Sequence, residues 1–203
     1  MLAEWGWDLL RSFLGAGAGT AAVTGALALW RERGKKRDEA SYLAMRLAVV
    51  FEKFASDCSR LIYDNKNAYH HPDQEFPHWD INLPALAEYP PEADGWKSLA
   101  PEPASDCLSL RNRISEIQFR IGDYAEYRPE DLEKDVRRGA WDLGLEAWSL
   151  AVQLREAFGL KNVRSAFGHI GRLNRAKAQT LSEDAAKAQS ENELYASANR
   201  SGS

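Results

Sequence analysis

At 203 residues with 44% hydrophobic positions, the chain is long enough for one domain with a real core plus extra segments, and two globular domains would be a squeeze. Its 26 basic and 30 acidic side chains leave a formal charge of -4, which excludes a general nucleic-acid binder; positive charge gathers just after the opening stretch and negative charge near the middle. Two cysteines, Cys58 and Cys107, match no zinc or C-x-x-C spacing and fall on apolar helical stripes, as ordinary buried thiols of a reducing compartment do.

Residues 1–11 read as a short extracytoplasmic N-terminus, and residues 12–30 as a transmembrane helix. Ser12 to Trp30 holds no charged residue and, at about 1.5 Å per residue, spans roughly 28 Å, near the hydrocarbon thickness of a bilayer. Trp5 and Trp7 at one end and Trp30 at the other stand where indole rings concentrate in membrane interfaces. Gly, Ala and Thr dominate the segment and each adds little transfer energy, so insertion is marginal. Gly15 and Gly19 form a G-x-x-x-G pair, a face that lets two helices approach closely in lipid and suggests a homodimer.

Two other readings of the same stretch compete. Gly17, Gly19 and Ala22 satisfy the G-x-G-x-x-A dinucleotide fingerprint, but no strand leads into them and no βαβ pattern follows, so no nucleotide cofactor is implied. Ala26-Leu27-Ala28 resembles a signal-peptide cleavage site, which would make this an exported helical protein with a Cys58–Cys107 disulfide. Glu4 and Asp8 in the leader and the basic cluster after it oppose that reading.

Residues 31–37 form a basic juxtamembrane segment carrying Arg31, Arg33, Lys35, Lys36 and Arg37. The positive-inside rule then puts the N-terminus outside and the body in the cytoplasm, as in a single-pass protein of a bacterial inner membrane. Residues 38–178 read as a helical bundle. Leu43, Leu47, Val50, Phe54, Cys58 and Leu61 recur every three or four residues through the first helix, and Gly34 either breaks it from the span or is passed through.

Residues 72–103 hold seven of the chain's eight prolines and a nearly unopposed set of carboxylates, an irregular acidic connection with a short helical turn near Trp96. The next helix carries Cys107, Leu110, Ile114, Ile117, Ile121 and Tyr124 on one stripe. A third, opened by Pro129 and closed by Gly159, carries Leu132, Val136, Leu143, Ala147, Leu150, Leu154 and Phe158. A shorter basic amphipathic helix with Val163, Phe167, Ile170 and Leu173 opposite Arg164, Arg172, Arg175 and Lys177 covers the bundle. Residues 179–203 read as a frayed helix and disordered tail. The fold class is therefore all-α: one N-terminal transmembrane helix, then three long helices and a shorter C-terminal one.

Chemistry has one foothold in this pattern. HHPDQEFPHWD brings His70, His71, Asp73, Glu75, His78 and Asp80 close in sequence, and His70, His71, His78 and Asp80 are candidate metal ligands, although no H-E-x-x-H, zinc-finger or EF-hand spacing accompanies them. His169 stands alone. No G-x-S-x-G, P-loop or Cys/His nucleophile arrangement is visible, so no catalytic residue is assigned. The leading expectation is a membrane-anchored helical interaction or scaffold module that meets the lipid bilayer, an unidentified protein partner and a second copy of itself. The runner-up is a metal-dependent hydrolase or sensor built on the His70–Asp80 loop.

Overall fold

The computed structural model describes residues 4–68, 80–91, 93–127, 131–161 and 168–201, with side chains from residue 28 to residue 193. Among them the protein is all-helical: α1 (Glu4–Ala68), α2 (Ala93–Ser98), α3 (Pro101–Tyr127), α4 (Leu132–Ala157) and α5 (His169–Ser201). The chain divides into two compact units, one of Met1–Leu43 with Glu92–Leu99, the other of Ala44–Pro91 with Ala100–Ser203.

In the first unit α1 runs without interruption through Gly34. Every residue from Ala28 to Asp38 is exposed, and intrahelical pairs Lys36–Glu32 at 2.7 Å and Lys35–Glu39 at 3.6 Å decorate the surface. The turn expected near Trp96 is α2. It is seated by Gly95, where a Cβ would stand 3.0 Å from Leu43 Cβ, so only hydrogen fits without a shift. The Leu99 N–H donates to the Gly95 carbonyl at 3.0 Å and closes that turn.

The second unit is the helical bundle. Ala44, Leu47, Phe51, Phe54, Cys58, Leu61 and Asn65 are buried along α1 at alternating spacings of three and four, an average period near 3.5 that keeps one seam facing its neighbours. On α4, Val136, Ala140, Leu143, Ala147, Leu150 and Leu154 follow the same period. Cys107, Leu110, Ile117 and Ile121 do so on α3. Helices with that seam pack nearly parallel or antiparallel, about 20° off.

Small residues set how close the helices come. A Cβ on Gly144 would lie 3.0 Å from both Cys58 Cβ and Leu173 Cδ1, which brings α1, α4 and α5 together at one point. One ion pair lies inside: Arg155 Nε and Nη2 of α4 donate to the two carboxylate oxygens of Glu52 on α1 at 2.6 and 3.0 Å, and Nη1 donates to the Lys161 carbonyl at 3.0 Å. Such a pair is worth little against an apolar replacement, but losing one partner leaves a buried charge and costs about 3–5 kcal/mol.

Residues 80–91 are irregular and lie on the bundle. Leu83 and Pro90 are buried, the Leu83 N–H donates to Gln118 Oε1 at 2.7 Å, and Arg111 donates to the Ala87 carbonyl at 3.0 Å. Tyr89 packs edge-on against Phe51 with ring centroids 6.0 Å apart and donates its hydroxyl to the Cys107 carbonyl, tying α1 to α3.

Several expectations change. The C-terminal helix is not short: α5 has 33 residues and passes through most of the segment read as a frayed tail. Its length comes from Ala, Gln, Glu and Lys, which favour helix at exposed positions, and from charge pairs to α4 such as Lys134–Asp184 at 2.6 Å and Lys187–Asp131 at 3.6 Å. α4 begins at Leu132, and Pro129 lies outside the described residues. Gly159 does end α4: it takes φ +65° while its N–H donates to the Glu156 carbonyl and that of Leu160 to the Arg155 carbonyl, the Schellman arrangement.

The transmembrane span expected over residues 12–30 gains no support. No helix among the described residues is long and apolar enough to cross a membrane, and the side chains up to residue 27 lie outside them. Within reach of the described side chains, α1 passes straight from Leu29 and Trp30 into the Arg31–Arg37 charge cluster, which dilutes any apolar window there.

The close helix contact supplies a direct check. A Cβ at Gly139 would meet Ile117 Cγ2, a branched and stiff group, at 2.8 Å, whereas one at Gly122 meets nothing within 4 Å. Gly139→Ala should destabilise by ~1–2 kcal/mol in spite of Ala's helix propensity, and Gly122→Ala should stabilise by up to ~1 kcal/mol. Thermal unfolding of both variants decides it, and equal shifts would mean that α3 and α4 do not approach so closely.

Candidate functional site

A concavity of about 640 Å³ lies in the second unit where the end of α1 meets the start of α4 and the first half of α5. α1 contributes Tyr63 and Lys66, α4 contributes Glu133 and Arg137, and α5 contributes Arg172 and Arg175. Each helix delivers its polar residues one step beside its buried seam: Leu61 and Asn65 on α1, Val136 on α4, Leu173 and Ala176 on α5 are the buried neighbours. Arg137 and Arg172 are held firmly. Arg137 bridges Glu133 at 3.3 Å and Glu183, and the Arg172 guanidinium lies 4.9 Å from the centre of the Tyr63 ring while donating to Ser59 Oγ at 3.2 Å.

Beside this groove His169, the first residue of α5, faces Ser56 of α1, with Nε2 and Oγ 3.2 Å apart. The distance suits a nucleophile and base, but Ser56 sits in the middle of α1, whose backbone N–H groups are spent in the helix, so α1 itself offers the pair no oxyanion donor. Burial lowers the His169 pKa, and the charges of Arg172 and Arg60 lower it further against an opposing pull from Asp57. The arrangement is better suited to docking α5 than to acyl transfer.

The thiols are equally unsuited to nucleophilic work. Cys58 and Cys107 are free and buried, so the disulfide of the exported reading is not formed. Burial, with Asp57 behind it, pushes the Cys58 thiol far up; burial, with Asp106 behind it, pushes Cys107 up to about 12. Tyr89 is likewise raised to about 12, chiefly by burial and then by Cys107.

Of the candidate metal ligands, His70, His71 and His78 lie outside the described residues. Asp80 is described and occupied: its carboxylate accepts from the Asn82 N–H at 2.8 Å and the Asn82 side chain at 3.1 Å, while Asn65 bonds both its N–H and its carbonyl. That geometry anchors the start of the irregular segment to α1. Of the interface residues, Trp30 is 75% exposed and Arg31, Arg33, Lys35, Lys36 and Arg37 are exposed along α1. The side chain of Trp7 lies outside the described set, as do Gly15 and Gly19 beyond their helical backbone.

Sequence reading noticed Arg172 and Arg175 as the basic side of α5 but missed Lys66 and Arg137. The i,i+4 pair Glu133–Arg137 is the one local signal that touches the groove, and it is indistinguishable from any helix surface pair. No family model, no curated protein and no solved structure matches this chain.

Two measurements check these assignments. Native protein should be silent toward a thiol reagent, and protein denatured without reductant should react at both Cys58 and Cys107; a pair that stays protected until reduced would contradict the free thiols. Because the folded pKa of His169 is depressed, its neutral form stabilises the fold fully above the ordinary value of about 6.5, and that contribution is lost as pH falls through the lower folded value. Between about pH 7.5 and about pH 5.5, the wild type should therefore lose more stability than His169→Gln, as measured by thermal unfolding.

Proposed function

We propose that the chain is a membrane-anchored helical interaction module, with α1 carrying the anchor at its start and contributing a bundle helix at its end. The observation that supports this reading is the exposure of α1 from Ala28 to Asp38 around its whole circumference, including Leu29 at 58% and Trp30 at 75%. A soluble core helix would bury one face here, and none of these residues is buried. A helix segment without tertiary packing is marginal in water. A lipid interface favours this order of side chains, with an indole at headgroup depth followed by five cations on the cytoplasmic side.

The orientation follows the charge: N-terminus outside, body in the cytoplasm, the compartment in which two free thiols persist. Gly15 and Gly19 supply a close-approach face for a second copy in the bilayer. Binding, not catalysis, suits the body, because its described distinguishing features are surfaces. Leu108 at 52% and Phe119 at 69% exposure stand about three turns apart on one face of α3, open to a partner.

Full-length protein should stay in the membrane pellet through an alkaline carbonate wash, and a tag at the C-terminus should resist protease in right-side-out cells while one at the N-terminus does not. Replacing Ala22 and Val23 with Arg costs ~2.5–3.5 kcal/mol per charge at mid-bilayer and should release the chain into the wash. Intact wild-type protein in the soluble fraction would overturn the anchor.

A further inference from the structure

The groove in the second unit has the wrong charge for this protein. The chain as a whole carries -4, yet among the described residues lining one concavity four cations, Lys66, Arg137, Arg172 and Arg175, stand with one carboxylate, Glu133, and Arg137 is also paired with Glu183 behind them. Like charges gathered in a recess repel one another and focus a positive potential, a standing cost in the empty protein that a bound anion would relieve. We propose that this groove binds a phosphorylated small ligand, with the phosphate among Lys66, Arg172 and Arg175 and the organic part along Tyr63.

The four cations differ in availability. Arg137 is bridged by Glu133 and Glu183, and Arg172 is fixed over Tyr63 and against Ser59, so these two are preorganised and give the recess its shape. Lys66 and Arg175 are exposed and make no hydrogen bond or ion pair with a described residue. A ligand can recruit both charges without breaking a described pair. A second observation comes from Arg137, whose Nε is buried without an acceptor, so the cluster already holds a desolvated donor that its own carboxylates do not satisfy.

The chemistry favours a phosphate ester over a simple carboxylate or a bare ion. Two guanidinium forks and an ammonium offer more donors than one carboxylate accepts, whereas the oxygens of a dianionic phosphate use them. At about 640 Å³ the recess is far larger than an inorganic ion and falls among small-molecule sites, roughly 300–1,000 Å³. The exposed Tyr63 ring and the buried Ala176 give it an apolar wall beside the cationic one. A soluble phosphate ester and a lipid phosphate headgroup share this chemistry.

The test uses the full chain in a non-ionic detergent, titrated calorimetrically with inorganic phosphate, glycerol 3-phosphate and short-chain phosphatidic acid. Glycerol 3-phosphate should bind one to one, about tenfold more weakly to Lys66→Ala/Arg175→Ala, and within about twofold of wild type to Lys97→Glu, a charge reversal in the other unit. Raising salt from about 50 to about 300 mM should weaken it severalfold. Phosphatidic acid binding about tenfold tighter than glycerol 3-phosphate assigns the groove to a headgroup, and equal binding assigns it to a soluble ester; either supports the phosphate site. Thermal unfolding of the double variant confirms that it is folded, and the single reversal Arg175→Glu repeats the test should it not be. Absence of binding by all three probes, or binding that both variants leave unchanged, would overturn the proposal.

Discussion

The bundle is organised by the fork of Arg155 on Glu52. Both carboxylate oxygens of Glu52 are engaged, and the remaining guanidinium nitrogen holds the Lys161 carbonyl just beyond the end of α4. One side chain therefore fixes α4 against α1 and also fixes where the chain leaves α4. The Schellman turn at Gly159 works at the same point, since it satisfies the Arg155 and Glu156 carbonyls that would otherwise be stranded beside a buried charge. α5, which packs on α4 where Leu173 meets Gly144, supplies Arg172 and Arg175 to the groove.

Around that pair the core is built from modest side chains. Ala44, Ala48 and Ala55 on α1 and Gly139, Ala140, Gly144, Ala147 and Ala151 on α4 are buried, while large groups such as Phe51 and Phe54 fill the spaces they leave. Small residues bring helix axes together and let bulky neighbours interdigitate at native density. They also explain the thiols. Cys58 sits against Gly144 with no room for water, and the resulting desolvation is what raises its pKa and makes it inert.

Periodicity made the bundle readable. The stripes on α1, α3 and α4 recur at three and four, and Leu47, Phe54, Cys58, Leu110, Ile121, Val136 and Leu143 are buried where that spacing puts them. What escaped was small or distant. A stripe drawn through Val50 passes over Ala44 and Phe51, because alanine carries almost no hydropathy signal even when it lies at the closest contact. The length of α5 escaped because its second half has few groups to bury. It is held by helix propensity and charge, which a search for apolar stripes does not detect. The groove escaped for a geometric reason: Lys66 and Arg137, on different helices, are about seventy positions apart and become neighbours only after α1 and α4 pack.

The second half of α5 adds a constraint that ties the groove to the rest of the helix. Beyond Thr180, whose hydroxyl turns back to the Ala176 carbonyl at 2.9 Å, the helix meets α4 through Glu183 on Arg137, Asp184 on Lys134 and Arg138, and Lys187 on Asp131. Each such pair is weak alone and screened by salt, so this stretch is held by a network, not by burial. Arg137 belongs to both systems, since it lines the groove and grips Glu183.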